Sequence, residues 1–270
     1  MAKIYAVGNR KGGCAKTTTA GAIASGAGRR GLRVLAVDFD PQGNLTQWNG
    51  IDASDEDTIY EALHGDVAIS DVILSGAHYD LAPAYDSLSL AETDFITVVG
   101  RENKLADALR PIEDEYDLII IDTPPSLGLL TIMAFTAAKD GILVTSDASA
   151  FATQGMNKLA DSLESVRQYY NPGARVIGVI IGRVNPQTNI AKIMKDITAK
   201  FASEFDAPVY ETCVRTSVDI LTCQTTSQDL FDSSKLIKAV ADYDKLVDEF
   251  LSREGFEVHA KDEEGTDGEI

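Results

Sequence analysis

Eight residues near the start of the chain, Lys11-Gly-Gly-Cys-Ala-Lys16-Thr17-Thr18, have the types and spacing needed to hold a phosphate chain. Glycines let a backbone fold tightly, so the N–H groups of Gly12 to Thr17 can converge on a β-phosphate, aided by the positive end of a following helix. In that arrangement Lys16 bridges the β- and γ-phosphates and the Thr17 hydroxyl ligates Mg2+. Thr18 is placed to reach the α-phosphate, and Cys14 is a small neutral filler. Loops of this kind usually carry one lysine. Here Lys11 adds a second, and two cations near one triphosphate point to charge neutralised at two places, with two molecules as one way to share them. Ala15 stands just before Lys16, where glycine is usual. Alanine tolerates a positive φ poorly, so the loop is expected to be slightly altered or stiffer.

Two further segments carry carboxylates where such chemistry needs them. Ile119-Ile-Ile-Asp122 ends an apolar run on an aspartate, the pattern of a residue that holds the metal, usually through water. Asp38 and Asp40, in Asp-Phe-Asp-Pro-Gln-Gly-Asn, close a second apolar run and are candidates to position an attacking water or support the metal. Pro41 and Gly43 would shape a loop that responds to the γ-phosphate.

These residues need a scaffold that alternates strands and helices. Apolar runs at 3–8, 32–38, 116–122, 141–145 and 175–181 read as buried strands, with short candidates at 79–83 and 207–210. Helical patterns cover 16–28, 56–63, 86–97, 101–110, 127–138, 153–170, 189–204 and 233–252, with Pro111 closing the fourth and Asn171-Pro-Gly the sixth. Residues 39–49 and 211–229 read as polar loops. The 16–28 segment is so rich in alanine and glycine that it suits a close-packed helix. The order implies an α/β fold of three layers, a mostly parallel twisted sheet with helices on both faces, in one domain over 1–252. The acidic stretch 253–270 is expected to be a disordered tail.

Composition narrows the function. The apolar runs are too short for a membrane span. A strand entered by residue 3 leaves no room for a signal peptide, and three scattered cysteines argue for a reducing cytoplasm rather than a disulfide framework. There is no cysteine or histidine cluster for zinc or an iron–sulfur centre. The net charge is −18, of which −5 falls in the last eighteen residues and −13 in the rest. Any nucleic-acid contact therefore needs a local basic patch.

Three motifs in order, KGGCAKTT at 11–18, VDFDPQGNLT at 37–46 and IIIDTPPSLG at 119–128, resemble the ParA/MinD family of deviant Walker-A ATPases, and most the small, Soj-like ParA partition proteins. The resemblance implies a P-loop NTPase fold, ATP and Mg2+ as cofactors, and slow, partner-stimulated hydrolysis. It implies that Lys11 reaches across an ATP-bound homodimer, that Lys16 and Thr17 hold phosphate and metal, and that Asp40 orients the water beside Asp38. Asp122 takes the second nucleotide motif's metal role. It further implies nonspecific DNA binding on the nucleoid, a centromere-binding ParB-like activator, and plasmid or chromosome partition. With the first strand entered by residue 3, the helix-turn-helix extension of larger relatives is not expected. The glutamate of a family Pro-Glu pair is missing near Asp147, and the Cys213-Val-Arg215 stretch lacks a family proline.

A DNA surface requires several cations on one face. Arg183, Lys192, Lys195, Lys200, Arg215, Lys235 and Lys238 are the candidates, with 192/195 and 235/238 each sharing a helix face. The alternative is a switch of the same fold that positions non-DNA cargo, or a MinD-like spatial regulator. A MinD-like regulator would need a basic amphipathic end, and here the end is acidic. A metabolic synthetase or reductase of this fold fits the motif set less well.

The two lysines are separable by mutation. Lys16→Ala is expected to lose nucleotide affinity by about a hundredfold, on the scale of a lost charge-assisted contact. Lys11→Ala is expected to bind nucleotide normally but neither dimerise nor hydrolyse it, as read by nucleotide titration and size with ATP. Normal turnover by Lys11→Ala would remove its role in trans.

Overall fold

The computed structural model describes residues 1–147, 152–184, 189–215, 217–232 and 238–257. Seven parallel strands form one sheet: β1 (Lys3–Gly8), β2 (Val34–Asp38), β3 (Asp80–Ala82), β4 (Leu118–Asp122), β5 (Gly141–Asp147), β6 (Val176–Gly182) and β7 (Val209–Cys213), in the order β3-β2-β4-β1-β5-β6-β7. The helices are α1 (Lys16–Arg29), α2 (Asn44–Trp48), α3 (Ile59–His64), α4 (Ile69–Val72), α5 (Ala91–Asp94), α6 (Lys104–Leu109), α7 (Leu129–Ala137), α8 (Ala152–Tyr169), α9 (Asn189–Glu204), α10 (Val218–Thr225) and α11 (Lys238–Arg253).

Alternation along the strands builds two cores. Ile4, Ala6, Leu35, Val37, Ile119 and Ile121 face one layer, with Leu109, Met133, Phe135, Leu163 and Phe201 from the helices. Their neighbours Tyr5, Val7, Val34, Ala36, Leu118 and Ile120 face the other, with α1 and α11. Both faces of the sheet are therefore covered, as parallel sheets require.

The small residues of α1 have a packing reason. Gly21 lies against Trp48, Gly26 against Val247 of α11, and Gly28 against the main chain at His78. This lets α1 sit between the sheet and α11 while its first turn reaches the sheet's carboxyl edge.

Several boundaries differ from the sequence reading. The stretch 39–49 contains α2, and α4 had no periodic signal. The 86–97 segment is a 3-10 turn, Asp86–Leu90, followed by the short α5. α6 ends at Leu109 and Pro111 sits inside a 3-10 turn that continues it. The 211–229 stretch is the end of β7 and then α10. Ser217 caps α10 by accepting from the Asp219 N–H at 3.1 Å, and Thr222 and Thr225 return their hydroxyls to the carbonyls of Val218 and Leu221. Hydroxyl-rich residues that favour turns are thus absorbed inside a helix. The first residues of the acidic stretch, expected to belong to a disordered tail from 253, are structured. Tyr5 donates to the Glu254 carboxylate at 2.9 Å, and Phe256 lies 6.1 Å from Phe250 and under the Lys3 ammonium, so residues 253–257 dock on β1. Residues 258–270 and 233–237 lie outside the described residues.

Gly28→Ala would drive a Cβ into the backbone carbonyl of His78, which cannot rotate away. Overpacking of this kind costs about 1–3 kcal/mol, and the main-chain partner places it at the upper end. The urea midpoint is expected to fall accordingly, while Gly12→Ala, with open space around it, leaves stability unchanged.

Candidate functional site

The strand register assembles the site. β4 pairs in parallel with both β1 and β2, setting Asp122 beside Val7 on one side and Asp38 on the other. The carboxyl ends of the three strands therefore stop level with one another. The Thr123 hydroxyl donates to the Val7 carbonyl at 2.8 Å and the Phe39 N–H donates to the Asp122 carbonyl at 2.9 Å, which holds the exit chains in place.

The glycine loop leaves β1 here and enters α1. Gly13 has φ 73° and Ala15 φ 69°. Ala15 thus adopts the left-handed conformation itself, as the residue preceding α1. That conformation costs an L-residue roughly 1–2 kcal/mol. Gly182, at the end of β6, lies opposite, and even a Cβ there would stand 3.7 Å from the Ala15 methyl, an ordinary contact. The loop is pinned from below by groups that the sequence did not flag. Asn9 donates its amide to the Thr145 carbonyl and accepts from the Lys11 N–H at 3.1 Å. The Cys14 thiol donates to the Lys11 carbonyl at 3.0 Å and lies 3.3 Å from the Thr145 hydroxyl, so Cys14 is a buried brace. Gln224 of α10 donates to the Thr18 hydroxyl at 3.0 Å. Asn9 directly follows β1, the only local signal it offered.

The two lysines occupy different environments. Lys16 is 6% exposed, and its ammonium points back to the Lys11 carbonyl at 3.5 Å. Lys11 is half-buried, beside exposed Gly12 and Gly13.

Three buried carboxylates gather here, and Lys16, the only buried lysine or arginine among the described residues, acts on Asp40 and Asp122. Asp38 is fully engaged: Oδ2 accepts from the Thr46 N–H and hydroxyl, both at 2.8 Å, and Oδ1 from the Asp40 N–H at 3.3 Å. The Thr46 hydroxyl in turn accepts from the Ala84 N–H, so α2 latches Asp38 to the end of β3. Asp40 accepts from the Gln42 N–H at 3.1 Å. Asp122 differs. Neither of its oxygens has a hydrogen bond of ordinary geometry among the described residues.

Burial raises all three carboxyls. Asp38 is pushed up to about 6 by desolvation, against the hydrogen bonds from Thr46 and Asp40 that lower it. Asp122 is held well above the usual carboxylate range, first by desolvation and then by the charge of Asp38, with the Thr17 hydroxyl and Lys16 pulling the other way. Asp40 is raised by desolvation and lowered by the Gln42 N–H and Lys16.

A hard cation fits this arrangement. Mg2+ typically binds through one or two carboxylates, a hydroxyl, waters and substrate phosphates rather than a full protein cage. Asp122, orphaned and buried, faces Thr17 at the mouth of the loop, and these two would hold it. Among the described residues no cluster of three or more histidine, cysteine or acidic side chains forms a self-sufficient metal cage.

The family of AAA domains designated AAA_31 matches residues 2–176. The chain is 35% identical to the sporulation initiation inhibitor protein Soj of Bacillus subtilis, over 81% of this chain and 86% of that one. It is 33% identical to the chromosome partitioning protein ParA of Myxococcus xanthus, over 94% and 89%. The chain belongs to the ParA/MinD family of ATPases. ATP and Mg2+ are the cofactors of that activity. The fold is also that of cobyrinic acid a,c-diamide synthase from Mycobacterium smegmatis, solved with an ATP analog and magnesium, at TM-score 0.80 and 30% identity over 93% of this chain and 95% of that one.

The candidate DNA residues separate in this ParA/MinD-family structure. Lys192 and Lys195 are exposed in the first two turns of α9, Lys200 is exposed further along it, and Lys238 is exposed at the start of α11. Arg183 is exposed but donates to the Gly13 carbonyl, which makes it a brace of the phosphate loop. Arg215 is held by Asp242 through Nε at 2.6 Å and Nη2 at 2.9 Å, so its charge is locally offset. Lys235 and the segment after Asp147 lie outside the described residues.

The raised carboxyls set a pH dependence. In the folded state these groups keep protons to higher pH than in the unfolded chain, where they titrate near 4. Between about pH 4 and the Asp38 value of about 6 the folded protein binds more protons, so stability falls as pH rises through that window. Without nucleotide and Mg2+, Asp122→Asn is expected to flatten this fall and raise the thermal midpoint at neutral pH, by about 2–4 °C per kcal/mol recovered. Calorimetry from acid to neutral pH measures it. A lowered midpoint would show the Asp122 carboxylate to be stabilising.

Proposed function

We propose that the protein is an ATP-dependent dimerising ATPase that binds nonspecific DNA and drives plasmid or chromosome partition in the cytoplasm, on the nucleoid. A centromere-binding, ParB-like activator stimulates its hydrolysis. The observation that supports this best is the division between the two loop lysines. Lys16 is buried against the carboxylates of its own site, whereas Lys11 sits at the outer turn of the loop beside exposed glycines. A cation in the second position suits charge supplied to a partner's phosphates, the logic of an arginine finger. Dimerisation then depends on ATP.

In this reading Asp40 orients the hydrolytic water, with Asp38 fixing the Asp40 backbone through its N–H. When bound, Mg2+ neutralises developing phosphate charge. Buried Lys16 holds the phosphates, and the pinned loop keeps its N–H groups directed at them.

Lys192 and Lys195 follow the carboxyl end of β6. Lys238 opens the helix whose Asp242 holds Arg215 just after β7. These cations lie on helices that begin toward the sheet edge carrying the phosphate loop, and in this reading they supply the local positive charge that an acidic chain needs to meet DNA. Among the described residues no helix is long and apolar enough to cross a membrane. The likeness to the diamide synthase favours a second reading, a biosynthetic enzyme of the same fold; it does not require ATP-dependent DNA binding.

Retention on nonspecific DNA with ATP, measured against salt, tests the proposal. Binding is expected with ATP and not ADP, falling as salt rises with a slope of about 0.9 per phosphate contact. Lys192→Ala with Lys195→Ala is expected to lower that slope by about two. Absence of binding at low salt with ATP would sink the DNA part of the reading.

A further inference from the structure

The nucleotide chemistry leaves one surface unexplained, the stretch from residue 85 to 100 between β3 and α6. Leu90, Ile96 and Val99 are 53%, 65% and 99% exposed, and Val98 is partly exposed beside them. The segment is not a frayed turn. Leu88, Ala91 and Phe95 are buried beneath it, and Tyr60 donates to the Asp94 carboxylate at 2.7 Å. Clustered, anchored apolar side chains left in water mark an interaction site.

The charge around them selects the occupant. Asp86, Glu92 and Asp94 are exposed, and no lysine, arginine or histidine occurs from 85 to 100. Of the cations bordering the stretch, Arg101 is paired with Glu102, Lys104 is held by the Leu63 carbonyl over the Phe95 ring, and His64 meets Asp94, so the rim keeps an acidic balance. Nucleic acid and anionic lipid are repelled by such a rim. A second copy would bring the same acids face to face, in a chain whose net charge is already −18. What remains complementary is a protein helix with one apolar face and a lysine- or arginine-rich border.

The surface also touches the site. The Glu92 carboxylate lies so close over Gly128 that any Cβ there would overlap it. Gly128 precedes α7 and ends the short loop that leaves Asp122. An occupant gripping Glu92 therefore bears on the backbone that carries the metal aspartate.

We propose that residues 85–100 form a docking surface for a basic amphipathic helix of a partner protein, and that Glu92 transmits its arrival to the loop after Asp122. This deepens, and rests on, the reading of a hydrolysis-stimulating partner.

The test uses the full chain and two labelled synthetic helical peptides, one of leucine and lysine with leucines on one face, the other with glutamate in place of lysine. The leucine–lysine peptide is expected to bind at least about tenfold tighter, a difference of about 1.4 kcal/mol, and to slow amide exchange at 85–100. The double variant Ile96→Asp, Val99→Asp is expected to lose at least that factor while keeping its circular dichroism and basal ATP turnover. Protection elsewhere, or equal binding by the double variant, overturns the proposal. If the variant does not fold, the exchange map of the parent protein decides alone. ATP-dependent DNA retention is measured on the same samples: its absence with peptide bound at 85–100 sinks the partition reading and spares the docking surface, and the reverse pattern sinks only the docking surface.

Discussion

The parallel register of β2, β4 and β1 is the constraint from which the site follows. It fixes Asp38 beside Asp122 and both beside the start of the phosphate loop, all at strand ends where water is excluded. Carboxylates brought this close in a dry environment repel one another, and one buried ammonium is too little to offset them. The resulting imbalance is what a divalent cation relieves. The cost is borne by the two cores on either side, whose packing leaves these strand ends no freedom to splay apart.

The phosphate loop obeys the same logic. Its backbone is tied to β5 through Asn9 and Cys14, to β6 through Arg183, and to α10 through Thr18 and Gln224. Residues from most of the chain thus converge on a short turn. Ala15 takes the left-handed turn itself, just ahead of α1, within a loop held by these contacts on several sides.

Much of this was legible in the sequence, and the limits are instructive. Motif strings placed Lys11 to Thr18, Asp38, Asp40 and Asp122 because phosphate chemistry restricts residue types at fixed spacing. The apolar strands were equally plain, since a strand buried on both faces has few alternatives to Val, Ile and Leu. The braces were not legible. Thr46, Gln224 and Arg183 act through contacts set by tertiary packing, and no spacing rule links them to the loop. α10 escaped because its hydroxyls satisfy local carbonyls, which makes a helix look like a turn. The acidic end misled in part, since charge density drew attention away from Phe256. Among the cations proposed for DNA, composition identified the lysines but not that Asp242 had already claimed Arg215.

The docking of residues 253–257 on β1 has a practical meaning. Glu254 and Phe256 meet Lys3 and Tyr5, so the described chain returns beneath the amino ends of the strands. β1 has six residues, so roughly 20 Å of strand lies between Lys3, where Glu254 and Phe256 dock, and the phosphate loop. A fluorophore or surface tether placed on Glu257 itself therefore sits at the edge of the sheet opposite the phosphate loop. Such a handle permits immobilised or single-molecule measurements with the nucleotide face pointing outward and unobstructed.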